Sequence, residues 1–326
     1  MINLKSKRAI IYFVFLVSIF GVIVFKISKK SQKNLSLPQK ENVVKIGFSS
    51  YPHPFYIACA KGFFGNEGIK VEKIDFGGKS FLANAIVSGD VDTAMVAYSS
   101  LFAIQKSSPG AFKIYFGVEE TEENPFSFFV VKSDIKSPED LKGKKIITRM
   151  SYAGKVQAES IIKGLGLELD EIELVQVSKP LIVSSFSQPD ISGVIDQEPT
   201  MTIVVEKNIG KVLVSGVRPK YIIDPFPSAA GVFGSKFVEK NPELAQKVKK
   251  VIDRTIEFMR GNEKECRAIF SKELNIDPNI ASKMKLSKCQ TLESTNRVSI
   301  DKLIEFKVEN KIIDEEVNFS NAFYKE

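Results

Sequence analysis

Between Val43 and Ile104 short apolar runs alternate with amphipathic stretches, and this alternation restricts the chain to an α/β fold. Val43–Phe48 (VVKIGF) predicts a strand that ends in a polar loop, Ser49–His53 (SSYPH). A helix over Pro54–Lys61 follows, then a strand over Lys70–Phe76 and a Gly77-Gly78 turn. Ser80 suits the N-cap and Gly89 the C′ position of a helix over Phe81–Ser88. A third strand, Asp92–Ala97, stops at Tyr98-Ser99-Ser100. Strand ends that deliver Ser, Tyr and Gly loops to helix starts make sites for small ligands. Unpaired N–H groups converge there, and the helix dipole favours negative charge.

The alternation continues. Strands are predicted over Lys113–Val118, Lys145–Arg149, Glu173–Val177, Gly193–Asp196 and Lys211–Val214. Helices are predicted over Lys155–Leu165, Leu181–Phe186 and Pro199–Lys207, and Pro138–Leu141 opens a helical turn that Gly143 ends. Continuous apolar strands between helices argue for mostly parallel sheets covered on both faces. Two Pro-containing stretches, Glu119–Phe129 and Tyr221–Pro227, separate the runs. Paired crossings suit a two-lobed protein, with residues 43–125 and 226–326 in one lobe and 126–225 in the other. Phe226–Phe237 would return a strand to the first lobe. After Asn241-Pro242, Leu244, Val248, Val251, Ile252, Thr255, Ile256 and Met259 fall at helical spacing. Further helices are predicted over Asp277–Leu286 and Ser299–Ile313.

The net charge of +7 belongs to the first forty residues, which hold no acid before Glu41. There Ala9–Phe25 is uncharged and free of proline, which suits a membrane anchor or signal segment over residues 1–30 and a tether over 31–42. No Cys closely follows the run, so a lipoprotein anchor is unsupported. With that basic segment set aside the chain is near neutral, and no basic patch points to nucleic acid. Cys59 lies on an apolar helix and reads as a core residue. Cys266 and Cys289 are either paired or free. No CxxC, GxSxG, HExxH or P-loop pattern occurs, and His53 is the only histidine, which leaves little for acid–base chemistry or a metal.

Five segments together resemble the binding proteins of ABC importers. They are Pro54–Glu72, Gly77–Ser100, Ser137–Leu167, Ile191–Val214 and Asn241–Met259. The branch is that of nitrate, sulfonate and taurine receptors with thiamine-pyrimidine receptors and their synthase relatives. The resemblance implies a type II periplasmic-binding-protein fold, two α/β lobes closing on a ligand. It places ligand contacts at Ser50, Tyr51, His53, Gly78, Ser80, Tyr98, Ser99, Ser127, Ser151, Tyr152, Gly154, Asp196 and Glu198. Gln197 stands where the family commonly has an aromatic. Trp is absent, so stacking falls to Tyr51, Tyr98, Tyr152 or Phe226. Arg149 either pairs with a ligand anion or with a neighbouring acid.

The implied protein is a monomer outside the cytoplasm that hands a small polar or anionic ligand to a membrane permease. It needs no cofactor and performs no chemistry. A pyrimidine-synthase-like enzyme would instead need a pyridoxal cofactor with a Schiff-base lysine and clustered cysteines, and the chain has no such cluster. A membrane-tethered sensor is the third possibility, distinguished by its partner.

Overall fold

A computed structural model describes residues 42–76, 80–314 and 317–325, and of Ser80 its backbone alone. The anchor or signal segment over residues 1–30, nearly all of the tether, and Gly78 lie outside the described residues. Among the described residues no helix is long and apolar enough to cross a membrane.

The chain runs through β1 (Val43–Phe48), α1 (Pro54–Ala60), α2 (Phe63–Asn66), β2 (Lys70–Asp75), α3 (Ser80–Ser88), β3 (Thr93–Ala97), α4 (Tyr98–Ser107) and β4 (Phe112–Glu120). It crosses into β5 (Ser127–Val131), β6 (Lys144–Arg149), α5 (Tyr152–Gly164), β7 (Ile172–Val177), α6 (Ile182–Phe186), β8 (Ile191–Gln197), α7 (Thr200–Glu206), β9 (Lys211–Ser215) and α8 (Val217–Tyr221). It returns as β10 (Phe226–Gly234), α9 (Ser235–Lys240), α10 (Pro242–Gly261), α11 (Glu263–Glu273), α12 (Pro278–Lys283), β11 (Lys288–Thr291) and α13 (Arg297–Glu309). The strands form two sheets, ordered β11-β4-β10-β3-β1-β2 and β7-β6-β8-β5-β9.

The two-lobed α/β architecture agrees with expectation, but the sheets are mixed rather than mostly parallel. Pairing is parallel only within β2-β1-β3 and β7-β6-β8. β10 runs antiparallel to β3 and β4, β11 to β4, and β5 to β8 and β9. β5 (SFFVV), wholly buried, occupies the end of the crossing expected through Phe129. α11 and β11 are likewise additions to the expected elements.

Packing follows the apolar pattern. On α10 the residues Val248, Val251, Ile252, Thr255, Ile256 and Met259 are buried, as their spacing predicts, each apolar one contributing about 1.5–3 kcal/mol. Lys249 shares that buried face because its amine reaches Asp253 and Glu293, both at 2.9 Å. Under β10 the Tyr115 and Phe233 rings stack at 3.8 Å, and the Tyr115 hydroxyl meets Thr93 Oγ1 at 2.8 Å. Phe116 lies flat on Gly231, where a Cβ would come within 1.7 Å of its ring. The second sheet has separate apolar clusters on its two faces, around Phe129 and Ile161 and around Ile147 and Phe186. All three cysteines are free.

Candidate functional site

The carboxyl ends of β1 and β8 face each other across a small cavity of about 40 Å³, partly open to solvent. Tyr51 and Pro52 enter it from the loop after β1, Gln197 and Glu198 from the end of β8, and Met95 and Ser228 from the first sheet. Of the predicted contacts, Tyr51 and Glu198 line this cavity. Ser50 is exposed and lines an adjoining groove with Lys179 and Ile280. His53 is buried among aromatics, its ring 4.4 Å from that of Tyr56 and 5.4 Å from that of Phe48. Tyr98 is buried at the start of α4 and its hydroxyl makes no hydrogen bond. Burial, with a contribution from Glu119, pushes its phenol well up. Ser99 is exposed, Ser80 heads α3, and Gly78 lies outside the described residues.

In the second lobe Ser151 caps α5 by accepting a bond from Gly154 N at 2.9 Å. A Cβ on Gly154 would come within 2.7 Å of Arg149 O, so the tight turn into α5 needs glycine there. Tyr152 points outward, 57% exposed. Phe226, considered for stacking on ligand, instead faces the Arg218 guanidinium at 4.6 Å. Tyr51 is therefore the one aromatic among the four considered that lines the cavity.

Two ion pairs sit behind the cavity. Glu120, at the end of β4, is fully buried. Its Oε1 accepts bonds from Phe126 N (2.8 Å), Ser127 N (2.6 Å) and Ser127 Oγ (2.7 Å). Its Oε2 takes Arg218 Nε at 2.8 Å and lies 2.6 Å from Nη2. The Arg218 guanidinium is held between the rings of Phe126 (4.9 Å) and Phe226 (4.6 Å). Glu120 and Phe126 belong to the first crossing, Arg218 lies on α8, which leads into the second, and Phe226 belongs to the second, so the pair ties the two connections between the sheets together. Ser127, a predicted ligand contact, is engaged here. Desolvation lowers the Arg218 pKa, with Glu120 opposing it.

The second pair is Arg149 with Asp196, Nε to Oδ1 at 3.0 Å. The Asp196 side chain is wholly buried, and neither oxygen accepts a well-aligned hydrogen bond, so the contact is chiefly ionic. Arg149 keeps a third of its side chain exposed. Desolvation works against its charge, but Asp196 and a hydrogen bond with Tyr51 raise its pKa overall.

Several contacts join the lobes across the cleft. Lys179 Nζ lies 3.3 Å above the Tyr51 ring centre. Glu198 accepts a bond from Lys285 N at 3.1 Å, besides Thr202 N (3.2 Å) and Thr202 Oγ1 (2.7 Å). Burial raises the Glu198 pKa and these donors offset it in part. Glu206 on α7 accepts from Asn279 Nδ2 at 3.1 Å and pairs with Lys283 on α12. Sequence reasoning missed Glu120 and Arg218, because Glu120 is one acid among several in EETEEN and Arg218 stands in a short stretch without apolar periodicity, which the fold makes α8. Ser49, in the predicted loop but not among the predicted contacts, has a buried Oγ with no hydrogen-bond partner among the described residues.

Comparison with known proteins places these features in context. A Brucella abortus (strain 2308) protein named only as a binding protein is 24% identical over 247 residues, 75% of each chain. The taurine-binding periplasmic protein of Escherichia coli (strain K12) is 26% identical over 204 residues, 62% of each chain. A 4-amino-5-hydroxymethyl-2-methylpyrimidine phosphate synthase of Aspergillus parasiticus is 26% identical over 245 residues, covering 70% of this chain and 68% of the synthase. The crystal structure of the periplasmic aliphatic sulphonate binding protein SsuA from Escherichia coli superposes with a TM-score of 0.69 at 14% identity, covering 87% of this chain and 92% of that one. That likeness shows the periplasmic-binding-protein fold. Residues 49–266, well over half of the chain, match the family described as "NMT1/THI5 like". The chain belongs to the NMT1/THI5-like family.

Proposed function

We propose that the protein is the solute-binding component of an ABC importer. It captures a small polar or anionic ligand between its lobes and passes it unchanged to a membrane permease. The observation that carries this is the cavity between opposed strand ends, bridged by Tyr51–Lys179 and Glu198–Lys285 contacts. Such contacts favour a state in which a small ligand is enclosed, and breaking them opens the cleft. The relatives named for taurine and aliphatic sulphonate support a ligand with an acidic head group. They also support a position outside the cytoplasm.

An enzymatic reading has a relative in the pyrimidine phosphate synthase. Burial disfavours the thiolate at all three cysteines, raising Cys59 and Cys266 to about 11 and Cys289 to about 12, which makes them poor nucleophiles.

Thermal unfolding with a panel of sulfonates, nitrate, carboxylates and pyrimidines tests the proposal. A ligand at a hundred times its Kd stabilises by about 2.7 kcal/mol, enough to raise Tm by roughly 4–5 °C in a protein of this size. A panel that leaves Tm unmoved at saturating concentrations refutes it. Purified protein with a pyridoxal absorbance band would favour the enzyme, and co-purification with a kinase rather than a permease would favour a sensor.

A further inference from the structure

We infer that Glu206 holds the cleft closed: its carboxylate, at the end of α7 in the second lobe, is gripped by Lys283 and Asn279 on α12 of the first. The inference rests on the solute-binding reading above, because a ligand leaves through the open state and a contact made on closure slows its release. One stretch of the first lobe, Asn279–Lys285, reaches both ends of α7. Just before that helix Lys285 N donates to Glu198 at 3.1 Å. At its last residue Glu206 accepts from Asn279 Nδ2 at 3.1 Å and pairs with Lys283 Nζ.

The two carboxylates differ in what else they touch. Glu198 lines the cavity and is also bonded within its own lobe, to Thr202. Glu206 lines the outer groove with Ser50 and Asn279, and both of its described partners come from the first lobe. Its contacts are therefore made on closure and lost on opening. The helix sharpens the difference. A carboxylate at a helix C-terminus is disfavoured by the dipole, and Lys283 offsets that penalty while the lobes stay together. The hydrogen bond from Lys283 lowers the Glu206 pKa, so the carboxylate stays charged at neutral pH. Half of the Lys283 side chain and a fifth of the Glu206 side chain are exposed, so the pair is modest in strength and open to screening by salt.

Spin labels on one exposed position of each lobe, Glu67→Cys and Lys163→Cys, read the separation of the lobes in the full chain in detergent; the native thiols are poor nucleophiles. Double electron–electron resonance should show the closed population of wild type falling as NaCl rises from about 0.05 M to about 1 M, where the screening length shrinks to about 3 Å. Glu206→Gln should lower the closed-to-open ratio about two- to fivefold at low salt and remove most of its salt dependence. Glu206→Lys/Lys283→Glu should restore the ratio to within about twofold of wild type, which a role in packing alone would not do. A Glu206→Gln protein with the wild-type distance distribution at every salt concentration overturns the inference, and so does a charge swap that stays open. The thermal panel reads the parent proposal separately. Stabilisation by one of its members, with the distances unmoved by Glu206→Gln, overturns the inference alone; a silent panel beside a Glu206-dependent closure removes the solute-binding reading and keeps the contact.

Discussion

Replacing Glu120 by glutamine removes a charge and almost no volume, which isolates the electrostatics of the tie between the two crossings. In the native protein Oε1 faces three donors and Oε2 faces the Arg218 guanidinium. An amide satisfies one side only. With its oxygen toward Phe126 and Ser127, its NH₂ points at Nε and Nη2. Turned around, it confronts two backbone N–H groups. Either way Arg218, 5% exposed, is left as a buried cation without its carboxylate. Breaking a buried pair from one side costs about 3–5 kcal/mol. For a domain of this size that lowers Tm by roughly 4–8 °C. The second arm is Arg218→Met, which strands Glu120 at a similar cost. Glu120→Gln/Arg218→Met removes both charges, so its cost should fall short of the sum of the single costs by at least about 2 kcal/mol. Urea unfolding of the three variants reads these values from the midpoint and slope. A Glu120→Gln protein within about 1 kcal/mol of wild type would show that the pair behaves like a solvated surface pair, and the assignment of the crossings' tie would be wrong. Strict additivity in the double variant would refute it equally.

Other consequences can be checked on the same protein. Burial pushes the Lys307 amine down to about 8; its Nζ has no hydrogen-bond partner and lies 5.8 Å from the Phe102 ring centre. The folded state resists a proton that the unfolded chain accepts, so the penalty is full below pH 8 and fades as pH rises toward about 10.5. Lys307→Met should therefore stabilise by about 2–3 kcal/mol at pH 7 and by little near pH 10.5, and a gain independent of pH would refute this. Ser151→Ala should cost about 1 kcal/mol through loss of the α5 cap. Gly154→Ala should cost about 1–3 kcal/mol, because the new methyl group crowds Arg149 O and Ser151 Oγ. Thermal melts of both variants test these values, and an unchanged Tm for Gly154→Ala would mean the turn can relax. A thiol reagent should react slowly with the native protein and label all three cysteines after unfolding without reductant. A single reactive thiol would reveal a Cys266–Cys289 bridge.

How far the fold could be read depended on the kind of signal each segment carries. β3 and the apolar stretches within β1 and β6 sit beside helical patterns, and their buried residues make the pattern sufficient. α10 repeats its apolar residues at helical spacing over about four turns. β5 was hidden because SFFVV follows an acidic, Pro-broken crossing and only its pairing with β8 and β9 shows it to be a strand. β11 (KCQT) has no periodicity and exists through its ladder with β4. In the site the loop after β1 and the end of β8 were legible as strand termini. Tyr51 and Glu198 reached the cavity, whereas Ser127 went to Glu120 and Tyr152 to the surface.

Sequence by itself determined the α/β class, the two crossings and the family, because each rests on local periodicity or on motifs kept in order along the chain. Tertiary structure alone decided which charges are silent and which are exposed. Arg149 and Asp196, or Glu120 and Arg218, are distant in the chain and look like any solvated residues there. Their meaning comes from removal of water: a carboxylate in a buried position must find a cation, and only the folded chain specifies which one arrives.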